Sequence, residues 1–194
     1  MGQSLTFDHY GLEDGLSQQT IRCIIKGRDG YLWLGTQDGL NRFDGKNFKG
    51  YQHQTRDSLS ISGNYINRLA EHMDGTLWIA TGGDGICYYN PETDTFKKVD
   101  VENGNYLTLA VDKAGNVYSS TDQTGLIALR KGRVYTPEFY GVDEEIVTSI
   151  AIVNDRIMVG TKSGKLLKAK LSKLNKWTTQ QNTLPGSIEE IVPY

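Results

Sequence analysis

The sequence predicts an all-β protein built as a β-propeller of about four four-stranded antiparallel blades, and three observations carry that expectation. One stretch, Asp29-Gly30-Tyr31-Leu32-Trp33-Leu34-Gly35-Thr36-Gln37-Asp38-Gly39, returns as residues 74–85 and, in worn form, as 114–121 and 154–164. The threonines at 36, 81, 121 and 161 lie 45, 40 and 40 residues apart, and a fixed period of that size marks a repeat architecture. Each copy also reads as one meander: a Gly-containing turn, an apolar run of β-branched and aromatic residues, a second Gly turn and another short strand. No heptad or helical pattern competes with it.

Taken in order, Leu5–Tyr10 alternates well enough for a short strand and occupies the place before the loop that Phe48 and Trp177 occupy later. The first full repeat follows as strands at 21–26, 31–36, 40–44 and 47–52. The second runs 66–72, 76–81, 86–90 and 95–100. The third runs 107–112, 116–121, 126–130 and 133–136, and the fourth 147–153, 156–161, 166–171 and 176–180. Residues 188–194 read as the first strand of a fifth unit. The domain expectation is therefore one partial propeller over 1–194. Its blades lie at approximately 21–52, 66–100, 107–136 and 147–180, with orphan strands at 5–10 and 188–194. In the second strands both faces are apolar, Leu32 and Leu34 on one and Tyr31 and Trp33 on the other, as a blade between two neighbours requires. The Asp-Gly pairs are expected to form type I′ turns, with positive φ at both central residues.

Composition excludes several classes. With 38% hydrophobic residues, 22 Gly and 4 Pro, the chain suits a turn-rich globular fold and not a disordered one. A net charge of −2 gives no reason to expect nucleic acid as a partner. No apolar run approaches the roughly 18–20 residues that span a bilayer. Met1-Gly2 ahead of Gln3-Ser4 reads as an added start, so an original leader is expected to have been removed. Cys23 and Cys87 lack metal or redox spacing; they read as small buried hydrophobes, with a disulfide as the alternative.

The units DGYLWLGTQDGLNRFDG at 29–45, GLSQQTIRCI before it, and DGTLWIATGGDGICYYNPETDTF at 74–96 resemble the two-component regulator propeller repeat. The arrangement is similar to the amino-terminal sensor region of Bacteroides-type hybrid two-component systems. The later repeats depart: Trp becomes Tyr118 and Met158, and the motif Gly becomes Ser120. The resemblance implies a seven-bladed ring of which this chain is a part, and a periplasmic location. It also implies the sensing of polysaccharide breakdown products by a membrane-bound histidine kinase and response regulator. Membrane contact would then come only through parts of the parent chain absent here. A broken ring exposes blade faces and strand edges, so homo-oligomerisation through them is expected.

No catalytic residues, metal site or cofactor are expected. His9, His53 and His72 are scattered, whereas metal ligands must converge. Gly82-Gly83-Asp84-Gly85 lies between two strands and reads as a turn, not a phosphate loop. Asp29, Asp38, Asp74 and Asp84 could suggest a glycosidase pair, yet recurrence at turn positions in each blade favours a structural role. Binding is the better expectation. The turns between second and third strands share a face with the loops leading into the next blade, and loops on a rigid scaffold carry function. His53, Arg56, Tyr106, Asp38 and Asp84 are the candidate contacts for an oligosaccharide. The alternatives are a purely structural dimerisation propeller and a carbohydrate-active propeller enzyme.

Overall fold

The computed structural model describes residues 7–123, 125–130, 133–135, 145–173, 177–180, 186–188 and 191. Among the described residues sixteen strands form four separate four-stranded antiparallel sheets. The first blade holds β1 (Ile21–Lys26), β2 (Leu32–Thr36), β3 (Gly39–Phe43) and β4 (Phe48–Tyr51). The second holds β5 (Ile66–Glu71), β6 (Leu77–Thr81), β7 (Ile86–Asn90) and β8 (Thr95–Lys98). The third holds β9 (Tyr106–Val111), β10 (Val117–Thr121), β11 (Leu126–Arg130) and β12 (Arg133–Tyr135). The fourth holds β13 (Val147–Val153), β14 (Arg156–Thr161), β15 (Leu166–Lys170) and β16 (Trp177–Gln180). Strands pair in chain order within every sheet. Among the described residues the only helical elements are two 3-10 turns, at Leu12–Asp14 and Leu171–Lys173.

Apolar side chains from facing sheets fill the spaces between blades. Trp33, Leu40, Ile61, Ile66, Leu69 and Ile79 form one buried cluster spanning the first and second blades. Ala80, Ile86, Tyr106, Leu109 and Leu129 join the second to the third, and Tyr118, Leu126, Val147, Ile157 and Val159 join the third to the fourth. Neighbouring blades also meet along their first strands: β1 with β5, β5 with β9, and β9 with β13. These first strands are thus the inner ones. The sheets splay outward from them, as in a propeller.

One repeated feature was not legible in the sequence. All four inner strands carry a register shift at the same place, after Ile21, Ile66, Tyr106 and Val147. A bulge there adds one unpaired residue (Arg22, Asn67, Leu107 or Thr148) and re-aims the side chains beside it.

The turn expectation needs correction. At 27–31 the amide of Gly30 donates to Gly27 O at 3.0 Å, and that of Gly27 to Tyr31 O at 2.8 Å. Only the glycine has positive φ (90°), while Asp29 does not. This is a three-residue connection ending in a glycine bulge, not type I′, and 72–76 and 112–116 repeat its hydrogen bonds. Asp29 acts from outside the positive-φ position, its Oδ1 accepting from Tyr31 N at 3.0 Å, as Asp74 does from Thr76 N at 2.8 Å. The side-chain acceptor takes the Tyr31 amide, which neither of the two backbone bonds uses.

The expected orphan strands fall partly outside the described residues, at 5–6, 189–190 and 192–194. The described part of the first, Phe7–Tyr10, is not a strand. Tyr10 instead lays its ring edge-on against Phe43 at 4.8 Å. At the other end Ile188 N donates to Thr161 O at 3.1 Å. A Cβ added at Gly160 would come within 2.5 Å of Ile188 Cγ2, as one at Gly35 would come within 2.6 Å of Ile66 Cγ2. Ile188 therefore sits on the fourth blade as the leading residue of the second sits on the first. Both cysteines are free, Cys87 fully buried and Cys23 half-buried.

Candidate functional site

The periodic threonines organise the turns between second and third strands. Thr36 donates its hydroxyl to Gly39 O at 2.9 Å and accepts from Asp38 N at 3.0 Å. Thr81 repeats this with Gly85 O at 2.8 Å and Asp84 N at 3.0 Å. Thr121 accepts from Gln123 N at 3.2 Å, and Thr161 from Lys165 N at 3.0 Å. These hydroxyls are buried, and each holds a turn whose tip stands on the loop face. Inter-blade loops tie onto these turns: Gly39 N donates to Asn64 O in the loop leading to the second blade, while Gly82 N and Lys162 N donate to Tyr65 O and Ile146 O in the loops that enter their own blades.

Two of the expected contacts are brought together. Asp38 accepts from Asn64 Nδ2 at 3.0 Å and from Gln52 Nε2 at 3.2 Å. Asn64 Oδ1 in turn accepts from His53 N at 2.6 Å, while His53 Nδ1 meets Ile61 O at 2.8 Å. Asp38 and His53 thus converge on Asn64, a residue not singled out in the sequence. Arg56 is exposed in the same 53–64 loop, and the exposed Asp84 lies against Gly63, where a Cβ would meet its Oδ2.

Tyr106 belongs elsewhere. It is the first residue of β9 and not part of a loop, and it is only 3% exposed. Its hydroxyl donates to Glu102 O at 2.9 Å, and burial, helped by the Glu102 charge, pushes its pKa up. It walls a cavity of about 670 Å³ at the junction of the second and third blades, with Asn103, Asn105, Asp122 and Gln123. Asn105 bridges this junction, donating to Asp122 Oδ2 at 3.1 Å and accepting from Asn67 Nδ2 at 2.8 Å. The loop face therefore carries two polar clusters, one at the first blade junction and one at the second.

A second concavity, of about 580 Å³, runs along the inner strands of all four blades. Its walls are Arg22, Cys23 and Ile24 of β1, Arg68 and Leu69 of β5, Thr108 and Leu109 of β9, and Thr148, Ser149 and Ile150 of β13. Burial pushes the Cys23 thiol up to about 11, although the Arg68 and Arg22 charges both act to lower it. A raised pKa keeps a thiol protonated and weakly nucleophilic, and Cys23 shares the groove wall with Arg22 and Arg68. Among the described residues no group of His, Cys, Asp or Glu could hold a metal ion, and no helix is long and apolar enough to cross a membrane.

Four meandering blades around shared inner strands, with loops gathered on one face, define a propeller-type repeat protein. Within that class, residues 15–38 and 60–83 match the Two component regulator propeller family, so the chain carries two such repeats, in its first two blades. A histidine kinase P4 of Formosa agariphila is 53% identical over 49 residues, which make up 25% of this chain and 4% of the kinase. The solved extracellular domain of the proposed hybrid two component system BT3049 from B. thetaiotaomicron superposes with a TM-score of 0.75 at 23% identity. That match covers 89% of this chain and 26% of the solved one. The β-propeller domain of Myceliophthora thermophila Swd1 superposes with a TM-score of 0.64 at 11% identity, over 89% of this chain and 60% of that one. At these identities the solved structures establish the propeller fold. The chain spans about a quarter of the BT3049 domain.

Proposed function

We propose that this chain is a non-catalytic segment of the extracytoplasmic sensor region of a membrane-bound hybrid histidine kinase, and that it takes part in recognising oligosaccharides released from polysaccharides. The observation that carries the reading is the pair of regulator propeller repeats on adjacent blades, joined by the hydrogen-bonded Asp38–Asn64–His53 junction on the loop face. That junction presents amide, carboxylate and imidazole groups at an open rim, the donor and acceptor mixture that sugar hydroxyls match. A ligand there would signal by favouring one of two arrangements of the sensor, since only differential affinity shifts an equilibrium.

Calorimetric titration with neutral di- and trisaccharides tests it. Binding weakened by His53→Ala and by Asn64→Ala supports the junction as a contact surface. Unchanged affinity in both variants would remove it.

One observation favours an additional scaffolding role. The first blade turns apolar side chains to solvent, with Ile24 55% and Leu32 37% exposed and Phe7 79% exposed nearby in sequence. Association of copies through that face is the corresponding expectation. A molar mass by light scattering that stays monomeric at high concentration would sink it.

A further inference from the structure

We infer that the axial groove is an oxyanion subsite, built by Arg22 and Arg68, for the carboxylate of an acidic sugar. This deepens the sensor reading and rests on it, adding a contact for the acidic group on the inner strands to the one at the loop junction.

The argument begins with which polar groups in the groove are already satisfied. Thr108 shares a hydrogen bond with Ser120 at 2.8 Å. Ser149 donates to Ile188 O at 3.1 Å, and Thr148 donates to the same oxygen. The two guanidinium groups differ. Arg22 makes no hydrogen bond or ion pair among the described residues, and its guanidinium lies 4.8 Å above the Tyr65 ring. Arg68 spends one N–H on Asn67 O at 2.8 Å and has no carboxylate partner among the described residues. A guanidinium carries five N–H donors, so both retain most of theirs.

Both cations line this one groove, although Arg22 comes from β1 and Arg68 from β5. Each stands at the bulge of its strand: Arg22 is the unpaired residue of the first, and Arg68 closes the bulge of the next. No acidic residue lines the groove among the described residues. Two unneutralised guanidinium groups beside low-dielectric walls favour a planar anion that can accept paired N–H bonds.

The rest of the wall narrows the class. Ile24, 55% exposed, and the half-buried Ile150 give the groove an apolar floor beside the arginines. A sugar ring presents C–H faces to such a floor, and a carboxylate on the ring would reach the cations. The volume falls within the range of about 300–1,000 Å³ usual for small-molecule sites. Tyr65, which carries Arg22, bonds through its carbonyl to Gly82 N, so the cationic end of the groove opens toward the loop face.

Titration with galacturonate, galactose and inorganic sulfate tests the assignment. Galacturonate is expected to bind and galactose not, with affinity falling as salt rises. Arg68→Ala and Arg22→Ala should each weaken galacturonate about 10-fold or more, since a charge-assisted hydrogen bond is lost. Arg68→Lys should recover only part of the loss, because it keeps the charge without the fork. Sulfate binding as tightly as galacturonate would overturn the assignment to a sugar acid. Galacturonate binding that ignores both alanine variants, or no binding at all, would overturn the subsite. Neutral oligosaccharides bound in a manner sensitive to His53→Ala, with galacturonate left unbound, would leave the sensor reading standing without it.

Discussion

The hydroxyl of Ser120 donates to the carbonyl oxygen of Val147 at 3.0 Å, crossing from the third blade to the fourth. Ser120 stands at the register position held by Gly35 in the first blade, Ala80 in the second and Gly160 in the fourth. What reads in the sequence as erosion of a glycine motif is a substitution that uses the same space differently. Where Ile66 or Ile188 presses back on the preceding blade there is no room for a Cβ. Where the neighbour offers a carbonyl, a small hydroxyl fits and bonds it.

Ser120 is fully buried and also meets Thr108 at 2.8 Å, so Ser120→Ala leaves two polar groups short of a partner. The expected cost is about 1–3 kcal/mol, read as a lower urea midpoint with unchanged slope.

Gly35→Ala places a Cβ 2.6 Å from both Cys23 Sγ and Ile66 Cγ2. The first and second blades must then separate, at a cost of about 1–3 kcal/mol of overpacking strain. Ala80→Gly, where a Cβ already fits, should cost less than Gly35→Ala in the same denaturation experiment.

Thr81→Val keeps the shape of a fully buried side chain but removes its hydroxyl from Gly85 O and Asp84 N. A loss of about 1–3 kcal/mol is expected. Faster amide exchange at 82–85 than at the intact 37–39 turn would show that the turn itself has loosened.

Asp94 joins the first two blades at their outer edge. Its Oδ1 accepts from Tyr51 and Tyr89, each at 2.8 Å, and Lys49 pairs with Oδ2. Burial works to raise its pKa, but the bonds from Lys49, Tyr89 and Tyr51 outweigh it and hold the carboxyl at about 2, against 3.8 ordinarily. A carboxyl depressed on folding stabilises the fold above its unfolded pKa and loses that contribution as pH falls through its folded one. Asp94→Asn should therefore be less stable than the parent at neutral pH, with the difference closing between about pH 4 and about pH 2. Asn tolerates the left-handed backbone at this position, where φ is 55°, so the variant isolates the charge. Thermal midpoints of both proteins across that range check it.

Much of the architecture was legible because it is local. A turn glycine, an apolar run and a threonine at a fixed period specify one blade, and repetition specifies the array. Tyr106 shows where that reasoning stops. Its position next to a polar loop reads as a rim residue, yet β9 begins at it and its ring faces the buried space against the second blade. Nothing within a few residues of Tyr106 records which side of the strand another blade will cover.

The sequence by itself determined the fold class, the four strand meanders and the loop face, since these follow from periodicity and from turn chemistry along the chain. Only the tertiary structure decided which groups meet across blades: Asp38 with Asn64, Ser120 with the Val147 carbonyl, and Arg22 and Arg68 as walls of one groove. The physical reason is that a β-bulge shifts side-chain direction without a composition signal of its own. In this chain the bulge recurs in every inner strand, and in the first two an arginine stands at it and lines the same groove.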